Sequence, residues 1–149
     1  MLIVELANPL DAAPSALLAQ AQALQAEIYP DEHNHSLPTD ALAAPDVRFF
    51  TAREGDQLLG VGAMKIAGDT GEVKSMFTAQ AGRGKGVAAA ILRMIEDTAR
   101  EEGLVWLRLE TGDELEAACR LYERHGFVRC GAFGTYEDNG VSVFMEKRL

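Results

Sequence analysis

Residues 71–102, GEVKSMFTAQAGRGKGVAAAILRMIEDTAREE, constrain the chain most, because the hydrophobic period changes there across a turn crowded with glycines. Residues 72–78 read as a strand, bounded by Gly71 and by the small polar run after Phe77. From Gly84 the period becomes helical: Val87, Ile91 and Ile95 share one row, and Ala88, Leu92 and Ala99 lie beside it. Gly103 stops that helix. The junction is Arg83, Gly84, Lys85, Gly86, Val87 and Ala88. A helix's first turn leaves backbone N–H groups without internal partners, and the helix dipole adds positive charge in the same place. Glycines let a ligand approach the backbone, and two cations flank it. This junction is therefore expected to hold a phosphate or pyrophosphate.

Three phosphate-binding patterns compete for it. A Walker A loop needs Gly, four residues, then Gly-Lys-Ser/Thr. Here Gly86 follows Lys85, and Ala79 stands where the first Gly belongs, so that pattern fails. The dinucleotide pattern G-x-G-x-x-G/A is met by Gly84, Gly86 and Ala89, with Glu110 at the end of the next apparent strand. The pattern R-x-x-G-x-A is filled by Arg83, Gly86 and Ala88. It resembles the pyrophosphate loop of the GNAT family of N-acetyltransferases, which bind acetyl-coenzyme A.

The rest of the chain separates the last two. Residues 2–6 read as a strand and 15–28 as a helix, capped by Ser15 or Asp11. Residues 29–46 hold three prolines and the cluster Glu32, His33 and His35. H-x-H without cysteine is a weak metal signal, so no metal is expected; the segment reads as a surface loop or as one that faces a substrate. Strands at 47–52, 57–66 and 72–78 follow one another across short Gly-Asp turns, which makes them antiparallel. Gly60 and Gly62 mark close packing or a bulge. A strand at 104–110 after the long helix must run parallel to 72–78. A helix at 114–125, capped by Asp113 and ended by His125 and Gly126, leads to strands at 127–131 and 141–147 around a loop at 134–140. The order is β-α-β-β-β-α-β-α-β-β, an α/β chain with a mixed, mostly antiparallel sheet, one parallel crossover and flanking helices.

With 149 residues the chain suits one domain, 1–149. No apolar run approaches the roughly 20 residues of a membrane span. The start, MLIVELANPLDAAPS, lacks a basic n-region. Cys119 and Cys130 lack metal spacing and read as thiols of a cytoplasmic protein. A formal charge of −9 argues against nucleic acid and suits either a cationic substrate or solubility alone.

The resemblance covers most of the chain, and its specific part is 72–128. Lys74, Ser75, Met76, Phe77 and Thr78 look like the family's strand beside the acyl group, and Leu121-Tyr122-Glu123-Arg124-His125-Gly126-Phe127 looks like its late helix and following strand. Leu115 stands where the family often has Asn. The resemblance implies the GNAT acyltransferase fold, acetyl-CoA as cosubstrate and direct transfer to a primary amine of a small molecule or peptide, in a monomer or homodimer. It implies that Met76, Phe77 and Thr78 bind the pantetheine arm and that Arg83, Gly84, Lys85, Gly86, Val87 and Ala88 bind the diphosphate. Tyr122 becomes the proton donor to the leaving thiolate, with a high-pH limb expected from its ionisation. Glu72, acting through water, is the first candidate base, and Glu110 the second. An alternating strand puts Glu72 on one face with Lys74 and Met76. Glu32, His33 and His35 would meet the acceptor. Two other readings stand beside this one: an acyl-CoA sensor without turnover and a dinucleotide-dependent oxidoreductase.

Overall fold

Seven strands form one sheet in the order β1-β2-β3-β4-β5-β7-β6 in the computed structural model, which describes residues 1–29, 37–112 and 115–149. The strands are β1 (Leu2–Leu6), β2 (Val47–Glu54), β3 (Gln57–Ala67), β4 (Thr70–Thr78), β5 (Trp106–Gly112), β6 (Val128–Cys130) and β7 (Ser142–Arg148). The helices are α1 (Ala12–Ile28), α2 (Thr39–Leu42), α3 (Val87–Glu101) and α4 (Glu116–Arg124). Among the described strands β4 and β5 alone pair in parallel, joined by the crossover through α3; the other pairs are antiparallel. No described helix is long and apolar enough to cross a membrane.

Two apolar clusters cover the sheet. Ile91, Leu92 and Ile95 of α3 join Val73, Leu107, Leu109, Met145 and Tyr122 in one. Leu17 and Leu18 of α1 join Leu42, Val61 and Ala63 in the other. Side chains alternate along β3. Val61 and Ala63 meet α1, and a side chain at Gly60 or Gly62 would strike Val87 or Ile91 at 2.5–2.6 Å. Both glycines are therefore close-packing positions for α3. Gly71 acts likewise inside β4, where a Cβ would lie 2.5 Å from Met64 Sδ, so it does not end the strand as its composition suggests. Burying a side chain the size of Ile91 or Leu92 contributes about 1.5–3 kcal/mol, and this row fixes α3 across the sheet. Glu96 Oε1 accepts from Lys147 Nζ at 2.6 Å, and that ammonium also donates to His125 O at 2.6 Å, which ties α3, β7 and the end of α4 together.

Several boundaries differ from the sequence reading. α1 starts at Ala12 after Asp11, because Pro14 is tolerated in a first turn where its missing N–H has no acceptor to lose. β5 begins two residues late, since Leu104 N–H closes the end of α3 on Ala99 O at 3.0 Å. α2 was not expected; it is one short turn behind Pro38. The expected cap Asp113 lies outside the described residues.

The difference with most consequence is in β4. Ala63 pairs with Lys74 and Val61 with Phe77, so Ser75 and Met76 together oppose Gly62. Ser75 takes φ +58° at this bulge. The extra residue resets the alternation. Met76 packs toward Ile91, whereas Glu72 and Lys74 turn the other way, so the expected common face holds for Glu72 with Lys74 and fails for Met76.

Candidate active site

The parallel pairing of β4 with β5 runs from Thr70 with Trp106 to Val73 with Leu109 and then stops. Beyond it, Lys74, Ser75, Met76 and Phe77 of β4 and Glu110, Thr111 and Gly112 of β5 line a cleft, together with residues of α1 and with Ala118 and Tyr122 of α4. The bulge at Ser75 and Met76 lies just beyond the last parallel pair. Ala79 N–H is bonded to Leu59 O at 2.8 Å on the β3 side. Alternation then directs the N–H groups of Thr78 and Met76 away from β3, toward the open side, and that of Phe77 toward β3. Among the described residues no strand pairs with this edge beyond Val73, so the backbone there can hold an extended amide-bearing chain. Phe77 contributes its ring, packed against the α1 cluster.

At the end of that edge lies the glycine junction. Gly84 and Gly86 have φ +78° and +74°, and a Cβ on either meets no atom within 4 Å. Gly86 is the N-cap of α3 and supplies no side-chain cap; Ala90 N–H bonds Gly86 O at 3.0 Å, so the N–H groups of Val87, Ala88 and Ala89 precede the first intrahelical donor. Lys85 reaches Glu54 at 3.3 Å across an exposed ion pair. The arrangement offers backbone donors, open space and two cations to an anion.

Tyr122 is buried, edge-on to Phe127, and lines the cleft. Burial first, and Cys119 second, push its phenol well above the usual 10.0. The hydroxyl therefore stays protonated through any ordinary assay range, and the expected high-pH limb from its ionisation moves out of reach. Tyr136, from the loop between β6 and β7, is raised in the same direction, by burial first and then by its hydrogen bond to Glu72. Phenols raised in the folded state contribute stability that is complete below the unfolded value near 10.0 and lost as pH rises beyond it. The melting temperature should fall above about pH 10, and the double variant Tyr122→Phe/Tyr136→Phe should soften that fall. Differential scanning calorimetry between pH 8 and 11 tests this; an identical slope in the variant counts against it.

The Glu72 carboxylate is engaged by two neighbours. Its Oε2 accepts from Lys74 Nζ at 3.0 Å and from the Tyr136 hydroxyl, and Lys74 Nζ also donates to Tyr136 Oη at 2.6 Å. The Tyr136 ring is held by Phe133 and Phe144 at 5.3 and 5.7 Å. Lys74, Glu110 and Ser142 line the cleft itself, with Ser142 Oγ donating to Glu110 Oε2 at 2.9 Å. Tyr29, at the end of α1, lies so close to Gly112 that a Cβ there would overlap its phenol. Sequence reading gave no role to Tyr136 or Ser142, and placed Lys74 and Tyr29 only as members of the acyl-side strand and of the 29–46 segment. A tyrosine in a seven-residue loop bounded by glycines is the one signal that pointed at Tyr136. Glu32, His33 and His35 lie outside the described residues. Among the described residues no group of three or more His, Cys, Asp and Glu side chains could hold a metal. The dinucleotide reading fails: it needs a series of parallel strands, and the described sheet has one parallel pair.

Comparison with known proteins agrees with this geometry. The model of the acetyltransferase (GNAT) family matches residues 18–127. A protein of Azospirillum brasilense named IAA acetyltransferase is 40% identical over 144 residues, 95% of this chain and 94% of its own. The uncharacterized N-acetyltransferase YsnE of Bacillus subtilis is 43% identical over 124 residues, 80% of this chain and 82% of its own. A Klebsiella pneumoniae crystal structure, described as a candidate acyl-CoA N-acyltransferase, superposes with a TM-score of 0.85 at 32% identity, covering 100% of this chain and 98% of that one.

Proposed function

The chain belongs to the acetyltransferase (GNAT) family and is an acyltransferase, and on that footing we propose that it moves an acetyl group from acetyl-CoA to a primary amine by direct attack. One observation carries this reading: β4 and β5 part after Val73 and Leu109, and the Gly86-capped start of α3 lies at the end of that same β4 edge. The Met76 and Thr78 backbone binds the pantetheine arm, and the diphosphate lies on residues 83–88.

An amine near neutral pH is mostly protonated, with a free lysine-like value of about 10.4. Glu110 lines the cleft, and we assign it the proton that the ammonium gives up. Glu72, already engaged by Lys74 and Tyr136, acts as their holder instead. The amine nitrogen then bonds to the thioester carbon as the backbone N–H groups of β4 meet the charge that builds on the oxygen. The carbon–sulfur bond breaks, the sulfur takes the proton of Tyr122, and the second proton of the attacking nitrogen restores the phenol as the neutral amide forms. Because the free amine grows about tenfold per pH unit below its pKa, kcat/KM for the acceptor should climb with pH and show no falling limb from Tyr122.

Thermal shift with acetyl-CoA, CoA, NADH and ATP side by side tests the cosubstrate. Acetyl-CoA and CoA should raise the melting temperature, and NADH should not. Stabilisation by NADH with no response to either CoA ligand would overturn the reading. Release of free CoA thiol across a set of amines then tests turnover.

A further inference from the structure

Resting on the reading of Tyr122 as the proton donor, we infer that Lys147 and Glu96 are positioning residues for it: their ion pair holds the end of α4 and so fixes where the Tyr122 hydroxyl stands in the cleft. The inference starts from how α4 is anchored. The helix is nine residues long, its N-cap Leu115 supplies no side-chain cap, and Cys119 and Tyr122 are its buried residues. These two lie three positions apart, on one face and one turn, so packing alone leaves the helix free to pivot about them. The last carbonyls of a helix lack internal donors and carry partial negative charge. Here the donor comes from another element. Lys147 Nζ, on β7, donates to the O of His125, the C-cap residue of α4, at 2.6 Å. The same ammonium donates to Glu96 Oε1 on α3 at 2.6 Å.

The link from that carbonyl to Tyr122 is short. The N–H groups of His125 and Phe127 both donate to Tyr122 O at 3.0 Å, and the Phe127 ring meets the Tyr122 ring edge-on. Between them Gly126 takes φ +89°, and a Cβ there would lie 3.4 Å from Lys147 Nζ, so the turn is shaped around the ammonium. The other end of the tether is rooted in the core. Glu96 is 8% exposed, on the helix that Ile91, Leu92 and Ile95 fix across the sheet. An ion pair this far from water contributes little stability that a well-packed apolar pair would not, and what it adds is a fixed direction. A general acid depends on that direction, because it must stand within hydrogen-bond reach of the sulfur as the bond breaks. A displacement of about 1 Å can cost about 10²-fold in rate.

Two readouts test this. The first needs no acceptor: in protein carrying isotope-labelled tyrosine, the ring signals of the three tyrosines are assigned with Tyr→Phe variants. Lys147→Met should shift the Tyr122 signal and leave those of Tyr29 and Tyr136 in place. The second is CoA-thiol release from acetyl-CoA with the fastest amine of the acceptor set. Lys147→Met should lower kcat about 10–100-fold with the acetyl-CoA dissociation constant unchanged, and Lys147→Arg, which keeps the cation and its donors, should restore most of the rate. In a Tyr122→Phe background the same Lys147→Met change should cost less than about twofold, because no hydroxyl is left to misplace. A role in stability alone would cost the same in both backgrounds. Lys147→Met/Glu96→Met removes the carboxylate that the single change leaves buried and unpaired, so it covers poor folding of Lys147→Met and should show the same loss of rate. An unmoved Tyr122 signal, an unchanged kcat in a folded variant, or equal losses in the two backgrounds would overturn the positioning role and leave Tyr122 as the donor. If Tyr122→Phe itself stays within about twofold of wild type, the donor reading falls and the positioning role falls with it.

Discussion

Gly86→Asp should leave the fold intact and abolish stabilisation by acetyl-CoA. At saturating ligand, about a hundred times the dissociation constant, the wild-type protein should gain roughly 2.7 kcal/mol, and the variant none. The backbone at Gly86 has φ +74°, a conformation that costs most L-residues about 1–2 kcal/mol but that aspartate and asparagine tolerate better. Nothing in the protein lies within 4 Å of the new Cβ, so no packing is disturbed. Aspartate is also a favoured N-cap, and a carboxylate at a helix start is stabilising, which offsets the backbone strain. The same carboxylate competes for the N–H groups of the first turn of α3, Ala88 and Ala89 first, and it repels the diphosphate. Arg83 and Lys85 cannot compensate, because both are side chains on the exposed rim of the loop. Gly86→Asn separates charge from bulk: it adds a similar side chain without the charge, and it should weaken binding less than aspartate does. Isothermal titration with acetyl-CoA measures both. Unchanged affinity in a folded Gly86→Asp protein would mean that this loop binds no diphosphate.

Much of the scaffold was legible because it is written in short-range patterns. The helical row Val87, Ile91, Ile95 lies inside α3, and Gly103 ends it with φ +75°. The parallel crossover followed from a strand, a helix and a strand in sequence. The chemistry of the cleft depends on contacts between distant residues, and these leave no local trace. Tyr136 and Glu72 are 64 positions apart, and Lys74 and Tyr136 are 62 apart. The bulge at Ser75 is set by how β3 and β4 close against each other, and a serine gives no sign in sequence that it will adopt φ +58°. Missing the bulge put Met76 on the wrong face. Glu72, read as a candidate base acting through water, gives no sign in sequence that Lys74 and Tyr136 hold its carboxylate. Tyr29 and Gly112 show the same limit: a glycine at the end of β5 reads as a turn residue until the phenol from α1 is seen against it.

Tyr122→Phe should bind acetyl-CoA as the wild type does and turn over about 10²–10⁴-fold more slowly, the range for loss of a general acid. The ring is what the fold uses: it is edge-on to Phe127 at 5.7 Å inside the α3 cluster, and phenylalanine preserves that contact. Removing a buried hydroxyl while keeping the ring disturbs packing little, so the melting temperature without ligand should hardly move. The departing CoA thiolate then lacks its proton donor. This contact is made only as the carbon–sulfur bond breaks, so kcat and kcat/KM should fall together. Burial has already pushed the phenol far above 10.0, which keeps the donor charged with its proton at every assay pH but also makes it a weak acid. The rate profile of the wild type and that of the variant should therefore be parallel across the neutral and mildly alkaline range, offset by a constant factor. Two results count against the assignment. A kcat within about twofold of wild type would make Tyr122 a packing residue alone. Preserved kcat with a large loss of acetyl-CoA affinity would make the hydroxyl a binding contact, and the thiolate would then draw its proton from another group on the cleft wall.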